Sequence, residues 1–285
     1  MHAIMTVMLL AAAPPADVVA TTKAWHEQRL ARLQAEGGWL TLAGLGWLNE
    51  GANTAGSGKT DVTFPEGAPS VVGTFTRTGP NATFTPAPNV AVTLRGKPFT
   101  GGAMKSDAAG EPDVLQVGRF IFQLIARGDK LGVRIKDPEA PARKNFHGIP
   151  TWEPTARWQV RAKWEPTPNA TIPVPNVLGQ IEQQSSPGSA VFSVEGQTYR
   201  LTPVLEEGSP ELFFVFGDET NKTESYGAGR FLYAHPATNG EVLLDFNQAY
   251  NPPCAFSAFA TCPLPPKGNR LPLRIEAGEK RTGSH

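Results

Sequence analysis

Through most of the chain, apolar and polar residues alternate in short runs, and only one stretch departs from that rhythm. Between Asp17 and Gly37 the spacing is helical: Val18, Thr22, Trp25, Arg29 and Leu33 share one face, and Leu30 widens its apolar stripe. Asp17 is placed to cap this helix and Gly37-Gly38 to stop it. From Val62 to Lys136 the runs VVGTFTRT, ATFTP, NVAVTL, VLQVGRFIFQLIA and LGVRIK are divided by Gly, Pro and Asn, the signature of a β-sandwich or barrel. The clearest hairpin joins FIFQLIA to LGVRIK through Arg127-Gly128-Asp129-Lys130. Leu131, Val133 and Ile135 alternate with Gly132, Arg134 and Lys136, so one face belongs in a core and the other is expected to carry its cations in solvent.

The prolines of Asp137–Pro154 mark a loop, after which RWQVRAKW places Trp158, Val160, Ala162 and Trp164 on one face and basic residues on the other. SAVFSVEGQTYRLTPV reads as a hairpin turning at Glu195-Gly196-Gln197, and ELFFVF as a buried strand. RFLYAHP and EVLLDFNQ are expected to pair as a hairpin through Asn239-Gly240. The fold class is therefore mainly β: antiparallel β-sandwich or barrel units with an N-terminal α-helix. Residues 17–280 are expected to form a single compact β-rich domain, divisible into sub-units 38–137 and 150–280.

Composition narrows the function classes. Lys plus Arg equals Asp plus Glu at 26 each, so no global field favours a nucleic acid, and the cations and tryptophans of RWQVRAKW lie on opposite faces, unlike a base-stacking platform. Residues 1–16 begin with a short apolar run ending in alanines, which reads as a signal peptide and implies a periplasmic or secreted protein, with a cytoplasmic one as the alternative. The run is too short to cross a bilayer, so no integral membrane segment is expected. Gly58-Lys59-Thr60 mimics the end of a phosphate-binding loop, but no helical pattern follows it, and a turn is the better reading.

Candidate chemistry gathers near residues 241–266. Asp245 and Asn247 share a strand face opposite Val242, Leu244 and Phe246, and Arg230, Tyr250 and Asn251 lie close in sequence. These five side chains suit a small polar ligand, as a binding module or as the pocket of an enzyme, possible hydrolase included. The competing reading is a structural network in which Arg230 pairs with Asp245 while Asn247 and Asn251 satisfy the backbone of the proline-rich loop. Cys254 and Cys262, the only two cysteines, are the candidate disulfide. Two sulfurs do not complete a zinc site, so no metal or cofactor is expected. His147 and His235 stand in no recognisable catalytic motif, and no catalytic residue is assigned.

The segments GRFLY, LDFNQAYNPPCAF, TCPLPP and AGEK, with RGDKLGVRIKDPEAPARKNFHG, GQTYRLTPV and LFFVFGDETNKTESYGAGR upstream, resemble the domain of unknown function 1684 family from about Trp25 to Lys280. The resemblance implies a single β-rich unit found in bacteria and archaea, with no established activity or cofactor. It supplies no catalytic residue to carry over.

Overall fold

Helix α1, Val18–Gln34, begins where Asp17 accepts hydrogen bonds from the backbone N–H groups of Val19 at 3.0 Å and Ala20 at 3.3 Å. Its buried positions Thr22, Arg29 and Leu33 follow the expected face. The computed structural model describes residues 17–282, so the expected signal segment 1–16 lies outside the described residues.

Two sheets enclose the first core. A six-stranded sheet runs in the order Leu42–Trp47, Lys130–Lys136, Phe120–Arg127, Val114–Val117, Thr93–Leu94 and Lys97–Pro98. A five-stranded sheet runs Val62–Thr63, Gly51–Gly56, Gly73–Thr78, Asn81–Pro86 and Gly102–Met104, antiparallel except where Val62–Thr63 pairs parallel with its neighbour. Phe122 sits between them, its ring centroid 5.3 Å from Phe64, 6.2 Å from Phe75 and 5.4 Å from Phe84, in edge-on contacts that aromatic quadrupoles favour.

The second core lies between a four-stranded sheet, ordered Gln197–Leu201, Ile181–Val194, Gln159–Pro175 and Glu241–Asp245, and a three-stranded one, ordered Val204–Leu205, Leu212–Phe216 and Arg230–Ala234. Trp158, Ala162, Phe192, Phe214, Phe216, Leu244 and Phe246 fill it, as alternation predicts. Two smaller clusters join the halves. One packs Leu42 with Val174, Phe213, Phe231 and Cys262; the other packs Leu33 and Leu40 with Ile149, Ala255 and Phe256. No helix among the described residues is long and apolar enough to cross a membrane.

The structure is mainly β with antiparallel sheets and an N-terminal helix, but it corrects two details. The strands Arg230–Ala234 and Glu241–Asp245 do not form a hairpin: the first pairs with Leu212–Phe216 and the second with the start of Gln159–Pro175. Asn239 and Gly240 do make a tight turn, at φ 54° and 78°, yet pairing ends at Thr238 and Glu241. Pro236, without an N–H to offer, sits where the ladder would continue. The second correction concerns Arg134, which is buried and not solvated. The ring of Trp39 lies 5.3 Å from its guanidinium, and the cysteine-bearing loop covers the same face of the sheet through Thr261.

Candidate functional site

Arg230 opens its strand with no exposed surface. Its Nη2 donates to Asp218 Oδ1 and to the carbonyl of Ile275, both at 3.0 Å, and its Nη1 donates to the carbonyl of Ala277. Its partner is thus Asp218 and not Asp245. Asp218 is itself buried, accepting from the N–H of Ile275 at 2.8 Å and from Thr220. Burial lowers the Arg230 pKa, and the Asp218 carboxylate opposes that shift. The sequence signal for Asp218 is faint: it is the first of two adjacent carboxylates, with Glu219, one glycine past the apolar strand LFFVF.

Asn247 works as a backbone mimic. Its Oδ1 accepts from Thr155 N at 3.0 Å and its Nδ2 donates to Thr155 O at 3.0 Å and to Asp245 Oδ1 at 2.8 Å. Asn251 donates from Nδ2 to the carbonyl of Lys280 at 2.8 Å, and its N–H reaches Glu279 Oε2 at 2.7 Å. Glu279 is fully buried, which raises its pKa, and Arg29 of α1 answers it at 3.3 Å. Arg230, Asn247 and Asn251 therefore serve internal bonds. Only Asp245 and Tyr250 of the five face a cavity, where Asp245 also accepts from Gln159 Nε2 at 2.9 Å.

That cavity, about 1400 Å³, opens between α1, the strand Arg230–Ala234, the strand Glu241–Asp245 and the cysteine loop. One wall is a row of rings. Phe213 stacks on Tyr233 at 4.8 Å, Tyr233 on Tyr250 at 6.1 Å, and Arg29 lies 4.6 Å from the Tyr250 ring, with Trp25 beyond. Burial raises the pKa of both phenols, so they stay neutral hydrogen-bonding groups, and Tyr233 donates to Glu206.

A second region of the lining belongs to Arg127, Arg134 and Thr261. The Thr261 hydroxyl accepts from Arg127 Nε at 3.0 Å and from Arg134 Nη2 at 3.2 Å. Arg127 is neutralised by Asp107 at 2.8 Å. Arg134 has only 6% of its surface exposed, has no carboxylate partner among the described residues, and keeps its Nε buried without an acceptor. Burial, and then the neighbouring charge of Arg127, lower its pKa to about 10. Nothing in the sequence distinguishes this arginine from Lys136 two residues on.

Cys254 and Cys262 stand as free thiols facing each other: the N–H of Cys254 reaches Cys262 Sγ at 3.1 Å, and the N–H of Cys262 reaches Cys254 Sγ at 3.4 Å. The hydrogen bond between the thiols lowers the pKa of Cys254 and raises that of Cys262. His235 is exposed on the cavity rim, and His26, outside the sequence-level candidates, lies on α1, where burial lowers its pKa. Among the described residues no cluster of three His, Cys, Asp or Glu side chains could hold a metal ion.

Comparison with known proteins bears on the second half of the chain. Residues 144–280 match a family described as "Protein of unknown function (DUF1684)", a shorter span than the sequence resemblance suggested. A solution NMR structure of an uncharacterized protein from Haloarcula marismortui is 29% identical, covering 50% of this chain and 81% of that one with a TM-score of 0.42. No curated protein matches the chain.

Proposed function

We propose that this chain, whose residues 144–280 belong to the family of unknown function 1684, is a binding module that holds a small organic molecule in the cavity beside α1. The observation that carries this reading is the row Phe213, Tyr233 and Tyr250, which packs on the small core cluster around Leu42 and Phe231 and also lines a cavity. A cavity lined by aromatic side chains with a few polar groups among them is how small-molecule sites are built. Such sites run to about 1,000 Å³ for a drug-sized ligand, so an occupant of that size fills only part of this cavity. A catalytic pocket that includes Arg230 finds no support in the geometry, because that guanidinium is wholly enclosed.

A thermal-shift screen of small aromatic and aliphatic compounds tests the reading, with Tyr250→Ala as the control. Hits whose shift disappears in the variant support it. A screen without hits, or hits indifferent to Tyr250→Ala, overturns it. We extend the reading to the cell envelope on the strength of the apolar run at the N-terminus. Fusing residues 1–16 to a reporter that is active only outside the cytoplasm tests that extension, and a silent reporter refutes it.

A further inference from the structure

We infer that Arg134, Arg127 and Thr261 form an anion subsite in the wall of this cavity, and that its ligand is the carboxylate of a small molecule whose apolar body lies on the aromatic row. The inference rests on the binding-module reading and names the chemistry of its ligand.

The first argument is satisfaction of polar groups. A buried guanidinium offers five N–H donors and is retained in proteins when they are met. Arg134 makes a single hydrogen bond among the described residues, to Thr261 Oγ1 at 3.2 Å, and its Nε has no acceptor. Arg134 lines an open cavity, where an incoming oxygen can meet terminal N–H groups of its guanidinium that Thr261 leaves free.

The second argument is the hydroxyl. Thr261 Oγ1 accepts from both arginines, which occupies its two lone pairs. Its hydrogen is then left to donate, and no acceptor for it occurs among the described residues. Two guanidinium groups thereby aim a third donor, the hydroxyl, at the same space.

The third argument is charge. Asp107 balances Arg127 at 2.8 Å, leaving the unit of Arg127, Asp107 and Arg134 with one positive charge. Lys136 stands nearby but donates to the carbonyl of Gly37 at 2.6 Å and does not line the cavity. A monoanion neutralises the charge of this unit, whereas a phosphate dianion would exceed it and would also meet the carboxylates of Glu206, Glu207 and Asp245 elsewhere in the lining. A carboxylate also matches the planar fork of a guanidinium. The aromatic row supplies the apolar surface for the rest of such a molecule.

The test uses the full chain with three probes: 3-phenylpropionate, its neutral amide, and inorganic phosphate, each titrated by calorimetry. The carboxylate is expected to bind at least tenfold tighter than the amide. Arg134→Met is expected to erase that preference, so that acid and amide bind alike. Thr261→Val, which removes the hydroxyl and little volume, should reduce the preference even if Arg134→Met fails to fold. Equal binding of acid and amide, or indifference of the acid to both variants, overturns the subsite while leaving the cavity reading intact. Tighter binding of phosphate than of 3-phenylpropionate overturns the assignment of a carboxylate. Absence of binding by all three probes overturns the subsite, while the wider screen with Tyr250→Ala decides the cavity reading separately.

Discussion

Arg230 and Arg134 are both buried arginines on β-strands, and they differ in almost everything else. Arg230 meets a carboxylate and backbone carbonyls in a closed space, whereas Arg134 meets one hydroxyl and an open cavity. A buried cation paired with a buried carboxylate holds a fold together, and Arg230 does so although its Nε, like that of Arg134, meets no acceptor among the described residues. One that lines a cavity with no carboxylate partner among the described residues marks a place where the fold is incomplete by itself. Arg230 is the more conspicuous candidate in the sequence because it lies near the proline-rich loop, yet Arg134 is the one of the two that lines the cavity.

That contrast can be broken most forcefully at Arg230. Arg230→Ala strands Asp218 as an unpaired buried charge and is expected to cost about 3–5 kcal/mol, read as a lowered urea midpoint. A loss under about 1 kcal/mol would place Arg230 with Arg134 as a dispensable cation. The surroundings of Arg134 can be altered without touching it by oxidising Cys254 and Cys262, which close a small loop around Thr261. Chain-entropy arguments give about 2–3 kcal/mol for a loop of this length. Oxidised protein should therefore melt higher than the same sample treated with reductant, and coincident melting curves would argue against a disulfide.

Arg134→Met reverses the sign of the Arg230 result. Replacing an unpartnered buried cation with an apolar chain is expected to raise stability by about 1 kcal/mol without ligand. A clear loss on substitution would make Arg134 structural after all. The smallest effect is in pH. The folded pKa of Arg134, about 10, is below the ordinary arginine value, so the folded form sheds its proton first and stability rises with pH through that window. The advantage of Arg134→Met over wild type should accordingly shrink above pH 10, and a gap that stays constant would contradict the shift.

Local patterns were legible and long-range ones were not. Helix α1 and the hairpin Phe120–Lys136 follow from spacing, an Asp cap and a Gly turn, all encoded within a few residues. The destination of Glu241–Asp245 depends on Gln159–Pro175, far upstream, so a good turn sequence at Asn239-Gly240 misdirects the reading. Alternation correctly put Leu131, Val133 and Ile135 inward. It reports which face lies away from a core, not whether Trp39 and Thr261 will roof that face. For Arg230 the nearer of the two aspartates along the chain, Asp218, is the right partner, and the expected hairpin between the strands of Arg230 and Asp245 points to the wrong one.

The cavity also draws its lining from both sides of the family boundary. Residues 144–280 bring Phe213, Tyr233, Tyr250 and Thr261, but Trp25, Arg29, Arg127 and Arg134 come from earlier in the chain. A ligand held there bridges the two portions, and its occupancy and their cohesion become a single linked equilibrium. Whatever loosens the grip of one portion on the other must weaken binding, and a saturating ligand must act as mortar between them.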